Sequence, residues 1–293
     1  MATDRKNLTF QSTNGEFHYI SWGGNGPLAH FAHATGLCAS VYSKMIEVLL
    51  PHLEVTGLDF RGHGKTKALA DPNRLKSWDI FYDDLEIFIK HLDHPIIAIG
   101  HSLGGTVSLK MAACQPELIS ALIVIEPGIM PPSWRPWVYL AQKSGLFRFV
   151  PFFTRAAKRK SEWSDSEEVW NSLKGKGPFR KWRDEFLSDY IREGMVKEKN
   201  ETIRLACNPL WEGRYLAMAP YNIWKFVRRI KVPTLVLYGA QSTTFLPPVI
   251  KKFREEVPHA VIHKFKETGH FVPMERPVET ADIILELFCT FPH

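Results

Sequence analysis

The stretch Gly100-His101-Ser102-Leu103-Gly104-Gly105 sets a serine among glycines, after the apolar run Ile96–Ile99 and before the helix-forming run Leu103–Cys114. A serine on a sharp strand-to-helix turn has its Oγ exposed at a sheet edge. There the free N–H groups and dipole of the helix N-terminus favour developing negative charge. A hydroxyl is a poor nucleophile at neutral pH and needs a base to take its proton. Of the 12 histidines, His270 is best placed, in Glu267-Thr268-Gly269-His270-Phe271, between the last strand-like run and the last helical run. Ser102 with His270 spells nucleophilic attack on a carbonyl. The bland alternatives are a tight turn and an ordinary loop histidine. His101 adjoins the serine but points away along the turn, and His33 and His63 read as structural residues that hold neighbouring loops.

For these groups to meet, the intervening chain must form a sheet with both at one edge. Short apolar or β-branched runs recur at Leu8–Gln11, Phe17–Trp22, Leu28–His33, Val55–Phe60, Ile96–Gly100, Ala121–Glu126, Thr234–Gly239 and Val261–Lys266. Helical patterns occupy Ser40–Leu50, Trp78–Leu92, Leu103–Cys114 and Val278–Phe288. The alternation predicts an α/β fold with a mostly parallel eight-stranded sheet, helices on both faces and a short antiparallel start. Ligands in such sheets sit at the carboxyl ends of the strands. Between Ile129 and Ile230 the alternation stops. That segment offers amphipathic stretches and no convincing strand, and it is rich in tryptophan (Trp134, Trp137, Trp163, Trp170, Trp182, Trp211). It predicts a helical cap at 129–229 inserted into a core of 1–128 and 230–293. The aromatics of such a cap either line an apolar pocket or pack the insertion onto the core.

Composition sets outer bounds. The chain has 293 residues, 45% apolar and 23% charged, so one folded domain with an insertion is expected. No apolar run reaches the roughly 18 residues of a membrane span, and the start MATDRKNLTF lacks the apolar core of a signal peptide. Cys38, Cys114, Cys207 and Cys289 show no CxxC spacing and read as reduced thiols, which points to a cytoplasmic protein without a metal site. The net charge of +6 resides in the middle: from Gly128 to Pro220 there are 17 Lys and Arg against 11 Asp and Glu. The groups Arg155-Lys158-Arg159-Lys160 and Lys174-Lys176-Arg180-Lys181-Arg183 suit nucleic acid, anionic lipid or acidic substrates. Glu162, Asp165, Glu167 and Glu168 interrupt them, which favours a solvated helix face.

Together these motifs resemble the α/β-hydrolase family over nearly the whole length. Gly100–Gly104 is similar to its nucleophile elbow, and His33-Ala34-Thr35-Gly36 to its H-G-x-G oxyanion loop. Asp59-Phe60-Arg61-Gly62-His63-Gly64 is similar to its D-x-R-G-x-G loop, and Gly269-His270 to its histidine loop. The insertion resembles the family's cap, as in cap-bearing serine esterases and lipases. The resemblance implies a structural role for Asp59 and Arg61, as a charged pair.

It also implies an acid that orients the histidine, commonly an Asp three residues after the glycine closing a late strand. Here that glycine is Gly239, and Ser242 stands in the acid's place. Glu126, at the end of Ala121–Glu126, is the candidate substitute, since relatives such as haloalkane dehalogenases draw their acid from this strand end; the bland alternative is a solvent-facing residue in a strand-ending Glu-Pro turn. A carboxylate after five apolar residues is partly desolvated and needs a partner, which an imidazole N–H supplies. Glu126→Gln should then cost orders of magnitude, and Ser242→Ala should stay near wild type. The resemblance further implies an oxyanion hole of the Thr35 and Leu103 backbone N–H groups. Ala34 stands where the family usually has Gly; a positive φ there would cost on the order of a kcal/mol.

Those relatives with a similar cap and acid placement attack with Asp, whereas a serine suits acyl transfer. The expectation is a carboxylic-ester hydrolase of small to medium esters, with Ser102 as nucleophile, His270 as base and Glu126 as its orienter. No cofactor or metal is implied, nor nucleic acid or stable membrane insertion, and a homodimer is compatible. Carbon–carbon bond hydrolysis of ring-fission products, lactone hydrolysis and perhydrolysis use the same triad. From another class, a non-catalytic ligand receptor on the same fold stays open.

Overall fold

The computed structural model describes residues 5–199 and 201–288; Cys289 lies outside the described residues. Eleven strands are formed among them. They are β1 (Lys6–Ser12), β2 (Gly15–Gly23), β3 (Leu28–Ala32), β4 (Glu54–Leu58), β5 (Ile96–His101) and β6 (Ile119–Ile125), then β7 (Glu162–Trp163), β8 (Met195–Lys197), β9 (Ile203–Leu205), β10 (Thr234–Gly239) and β11 (Val261–Phe265). Eight of them make one sheet, ordered β1-β2-β4-β3-β5-β6-β10-β11. β1–β2 and β2–β4 pair antiparallel, and every later pairing is parallel. All eight expected runs are strands of this sheet. The central ones read as unbroken apolar runs because both faces are covered: β5 is buried throughout, and β6 exposes only Ser120.

Helices α1 (Ser43–Leu49), α2 (Asp79–His91) and α3 (Leu103–Cys114) connect the first strands. From Arg135 to Val227 come α4 (Arg135–Ser144), α5 (Pro151–Ala157), α6 (Ser166–Leu173), α7 (Asp184–Glu193), α8 (Pro209–Ala217) and α9 (Trp224–Val227). The chain ends with α10 (Pro247–Glu256), α11 (Val272–Glu275) and α12 (Pro277–Phe288). Alternate residues of β6 feed two cores. Ile123 and Ile125 face the layer of α1 and α12, while Leu122 and Val124 face that of α2, α3 and α10.

The segment expected to be purely helical also holds a small antiparallel sheet, β7-β9-β8. Strands of two or three residues are too short to show alternation, so the sequence pattern hides them. The tryptophans divide: Trp163, Trp182 and Trp211 are buried, whereas Trp134 and Trp137 are exposed. Several contacts bind the segment to the rest of the chain. Trp211 Nε1 donates to the Arg61 carbonyl (3.2 Å), Trp78 Nε1 to the Tyr215 carbonyl (2.7 Å), and Arg5 pairs with Glu193 (2.9 Å). Among the described residues no helix is long and apolar enough to cross a membrane.

Candidate active site

Four neighbouring strands deliver the site. β5 ends at the serine, β6 at the glutamate, β10 at Ser242 and β11 at the histidine loop. Ser102 has φ 54° and ψ −111°, a strained backbone that persists only where its surroundings fix it. Here its N–H donates to the Ile125 carbonyl (2.9 Å), and its own carbonyl accepts from the Thr106 N–H and hydroxyl (3.0 Å each). The flanking glycines are required by contact. A Cβ on Gly104 would lie 2.1 Å from the Ala32 carbonyl oxygen, so α3 presses directly against the end of β3. That crossing brings the Ala34–Leu37 turn alongside the first turn of α3, where the Gly104 N–H donates to the His33 carbonyl (3.1 Å).

Glu126 is wholly buried and also left-handed, with φ 51°. Its N–H donates to the Leu237 carbonyl (2.8 Å). Oε1 accepts from the Gly239 N–H (2.7 Å), and Oε2 from the Ser242 hydroxyl (2.5 Å) and from His270 Nδ1 (3.0 Å). With Nδ1 carrying its proton, the other ring nitrogen of His270 is left as the basic one. Glu126 and His270 are thus brought together. No hydrogen bond joins the Ser102 hydroxyl to His270 among the described residues. Such bonds are often long in unliganded hydrolases and tighten with substrate.

Ser242 is no bystander. Its oxygen accepts from the Thr244 and Phe245 N–H groups (3.1 Å each), which leaves its proton for Glu126. The sequence shows only a missing acid at this position. The clue it held was Ser242's place three residues after a strand-closing glycine.

A second positioning network was invisible in sequence. The Ala34 N–H donates to the Tyr42 hydroxyl (3.0 Å), and Tyr42 donates to His101 Nδ1 (2.8 Å). His101 Nε2 then donates to the His270 carbonyl (2.9 Å). His101 does point away from the serine, and it ties the Ala34 turn to the histidine loop. Burial, and then the neighbouring His270, hold its pKa well below the usual value, so the ring is neutral as this chain requires.

At the turn, the Leu37 N–H donates to the Ala34 carbonyl (3.2 Å), with Gly36 at φ 71°. Ala34 is not among the residues with positive φ. The left-handed position falls on Gly36, so alanine at 34 carries no penalty. Thr35 lies within this turn, and its hydroxyl interacts with the Tyr215 phenol. Leu103 opens α3, so its N–H has no acceptor within the helix. Beside the turn, Arg159 pairs with the buried Glu212 (2.9 Å), whose pKa burial raises.

The other histidines are struts. His33 Nε2 accepts from the Phe60 N–H (2.9 Å) while Nδ1 donates to the Ala34 carbonyl (2.8 Å). His63 Nδ1 donates to the Arg61 carbonyl (3.0 Å), and Nε2 meets the Tyr215 hydroxyl (3.2 Å). The expected Asp59–Arg61 pair is corrected. Asp59 pairs with His18 (2.7 Å), while Arg61 grips Asp84 of α2 through two nitrogens (2.9 and 2.7 Å). Burial alone would raise the Asp59 carboxyl; the His18 hydrogen bond and charge hold it below its usual value. Among the described residues no cluster of His, Cys, Asp or Glu could hold a metal.

A mostly parallel sheet with a strained serine after β5 and a Glu–His pair at the same edge defines a hydrolase fold of the α/β type. The family model described as "Alpha/beta hydrolase family" matches residues 31–283, and the chain belongs to that family. It is 24% identical over 272 residues to a Haemophilus influenzae protein named "Putative esterase/lipase", covering 90% of this chain and 84% of that one. It is 24% identical over 278 residues to the cis-3-alkyl-4-alkyloxetan-2-one decarboxylase of Shewanella oneidensis, covering 90% and 82%. Among solved structures, E-2-(acetamidomethylene)succinate hydrolase superposes with a TM-score of 0.76 at 17% identity, covering 97% of this chain and all of that one. That chain shares the fold.

Proposed function

We propose that this hydrolase is a serine carboxylic-ester hydrolase working through an acyl-enzyme, with residues 129–229 as a cap over the site. The observation that carries the reading is the Glu126–His270 hydrogen bond (3.0 Å) at the same sheet edge as the strained Ser102. In this scheme His270 takes the Ser102 proton as the hydroxyl oxygen attacks the ester carbonyl carbon. The tetrahedral oxyanion forms against the Thr35 and Leu103 N–H groups, each worth about 3 kcal/mol to the transition state. His270 then returns the proton to the departing alcohol. A water, deprotonated by the same ring, frees the acid and restores the serine. Glu126 holds the tautomer and stabilises the imidazolium. No step needs a metal or cofactor.

Ser102→Ala should abolish hydrolysis of p-nitrophenyl esters and labelling by a fluorophosphonate. Retained turnover would remove the acyl-enzyme, and failure of the wild type to label would point to a receptor rather than an enzyme.

A further inference from the structure

We infer that the outer face of α4 and the turn that follows it dock on an anionic lipid surface. Among the described residues, the exposed large apolar side chains concentrate there: Trp134 is 51% exposed, Trp137 73%, Leu140 53%, Leu146 52% and Phe149 70%. Trp134, Trp137 and Leu140 recur every third residue and so lie along one side of the helix. The inner side is pinned. Gln142 Nε2 donates to the Ala217 and Ala219 carbonyls (3.0 and 2.9 Å), and the Tyr139 ring packs edge-on against Tyr221. Exposed apolar side chains gathered in this way, held outward by an anchored inner face, mark an interaction site.

Charge identifies the occupant. Between Pro127 and Ser161 the chain has seven Lys and Arg and no Asp or Glu. Arg135, Lys143, Arg155 and Lys158 are exposed. Tryptophans in a basic stretch that lacks any acid suit the boundary between lipid headgroups and acyl chains. A second copy fits poorly, because a twofold contact through this patch sets the same cations against each other. Nucleic acid fits poorly too, since the centre of the patch is apolar. The docking does not depend on the reaction assigned to Ser102.

The test is co-sedimentation of the full chain with vesicles of phosphatidylcholine alone and of phosphatidylcholine mixed with phosphatidylglycerol. The wild type should partition at least about ten-fold better onto the anionic vesicles, with a blue shift in tryptophan emission, and high salt should weaken it. Trp137→Ser with Phe149→Ser, and separately Arg155→Glu with Lys158→Glu, should each cut partitioning about ten-fold or more. The thermal unfolding midpoint should be unchanged in both, which rules out misfolding as the cause. Wild type left in the supernatant, or variants that sediment as the wild type does, would overturn the inference. So would a wild-type dimer that the Trp137→Ser, Phe149→Ser variant dissociates, which would give the patch to a second copy.

Discussion

At the scale of single residues, one buried carboxylate organises the site. Glu126 has no solvent, so each of its bonds is a donor that water cannot replace, and hydrogen bonds to charged groups are worth about 1.5–3 kcal/mol. Ser242 supplies one of them at the oxygen that also receives His270. The expectation of a silent Ser242→Ala therefore changes. That variant should lower kcat/KM about ten-fold, equivalent to about 1.4 kcal/mol of transition-state stabilisation. Glu126→Gln should lower it about a thousand-fold or more, by disturbing the tautomer that leaves the other imidazole nitrogen basic. Steady-state kinetics on a p-nitrophenyl ester, run side by side, decide it. Equal rates for Ser242→Ala and wild type would make that hydroxyl idle.

At the scale of elements, close contact governs. Because a Cβ on Gly104 would stand 2.1 Å from the backbone of β3, Gly104→Ala has no flexible neighbour to displace. It should cost about 3 kcal/mol or more, seen as a lowered urea midpoint. A variant as stable as the wild type would mean that α3 can slide off the strand. This glycine was readable from the motif, as were the eight strands and the places of Ser102, Glu126 and His270, because apolar runs and helix periods leave strong marks. Pairings set by tertiary geometry leave none. Nothing local to Arg61 says that it grips Asp84 rather than Asp59, nor does any spacing link Tyr42 to His101. The strands β7, β8 and β9 are too brief to carry a pattern, and Ala34 looked strained only because the left-handed step falls two residues later, on Gly36.

At the scale of the whole molecule, buried imidazoles set the response to acid. Burial pushes His30 and His63 down to about 3 from an ordinary 6.5, and His33 and His101 move the same way. The unfolded chain then binds more protons than the native one below about pH 6.5. Stability is complete above that value and drains away as pH falls towards 3. At pH 5 the cost is on the order of 2 kcal/mol for each of His30 and His63. Urea unfolding should show a clear fall in midpoint between about pH 7.5 and about pH 5; a flat profile would mean these rings are not buried neutral. A last consequence follows from where the chemistry is housed. Ser102, Glu126, Ser242 and His270 all lie outside residues 129–229, just beyond the ends of strands that pair with one another. On the proposed function, lineages are free to remodel the intervening segment, changing what is admitted, while the proposed machinery is inherited intact.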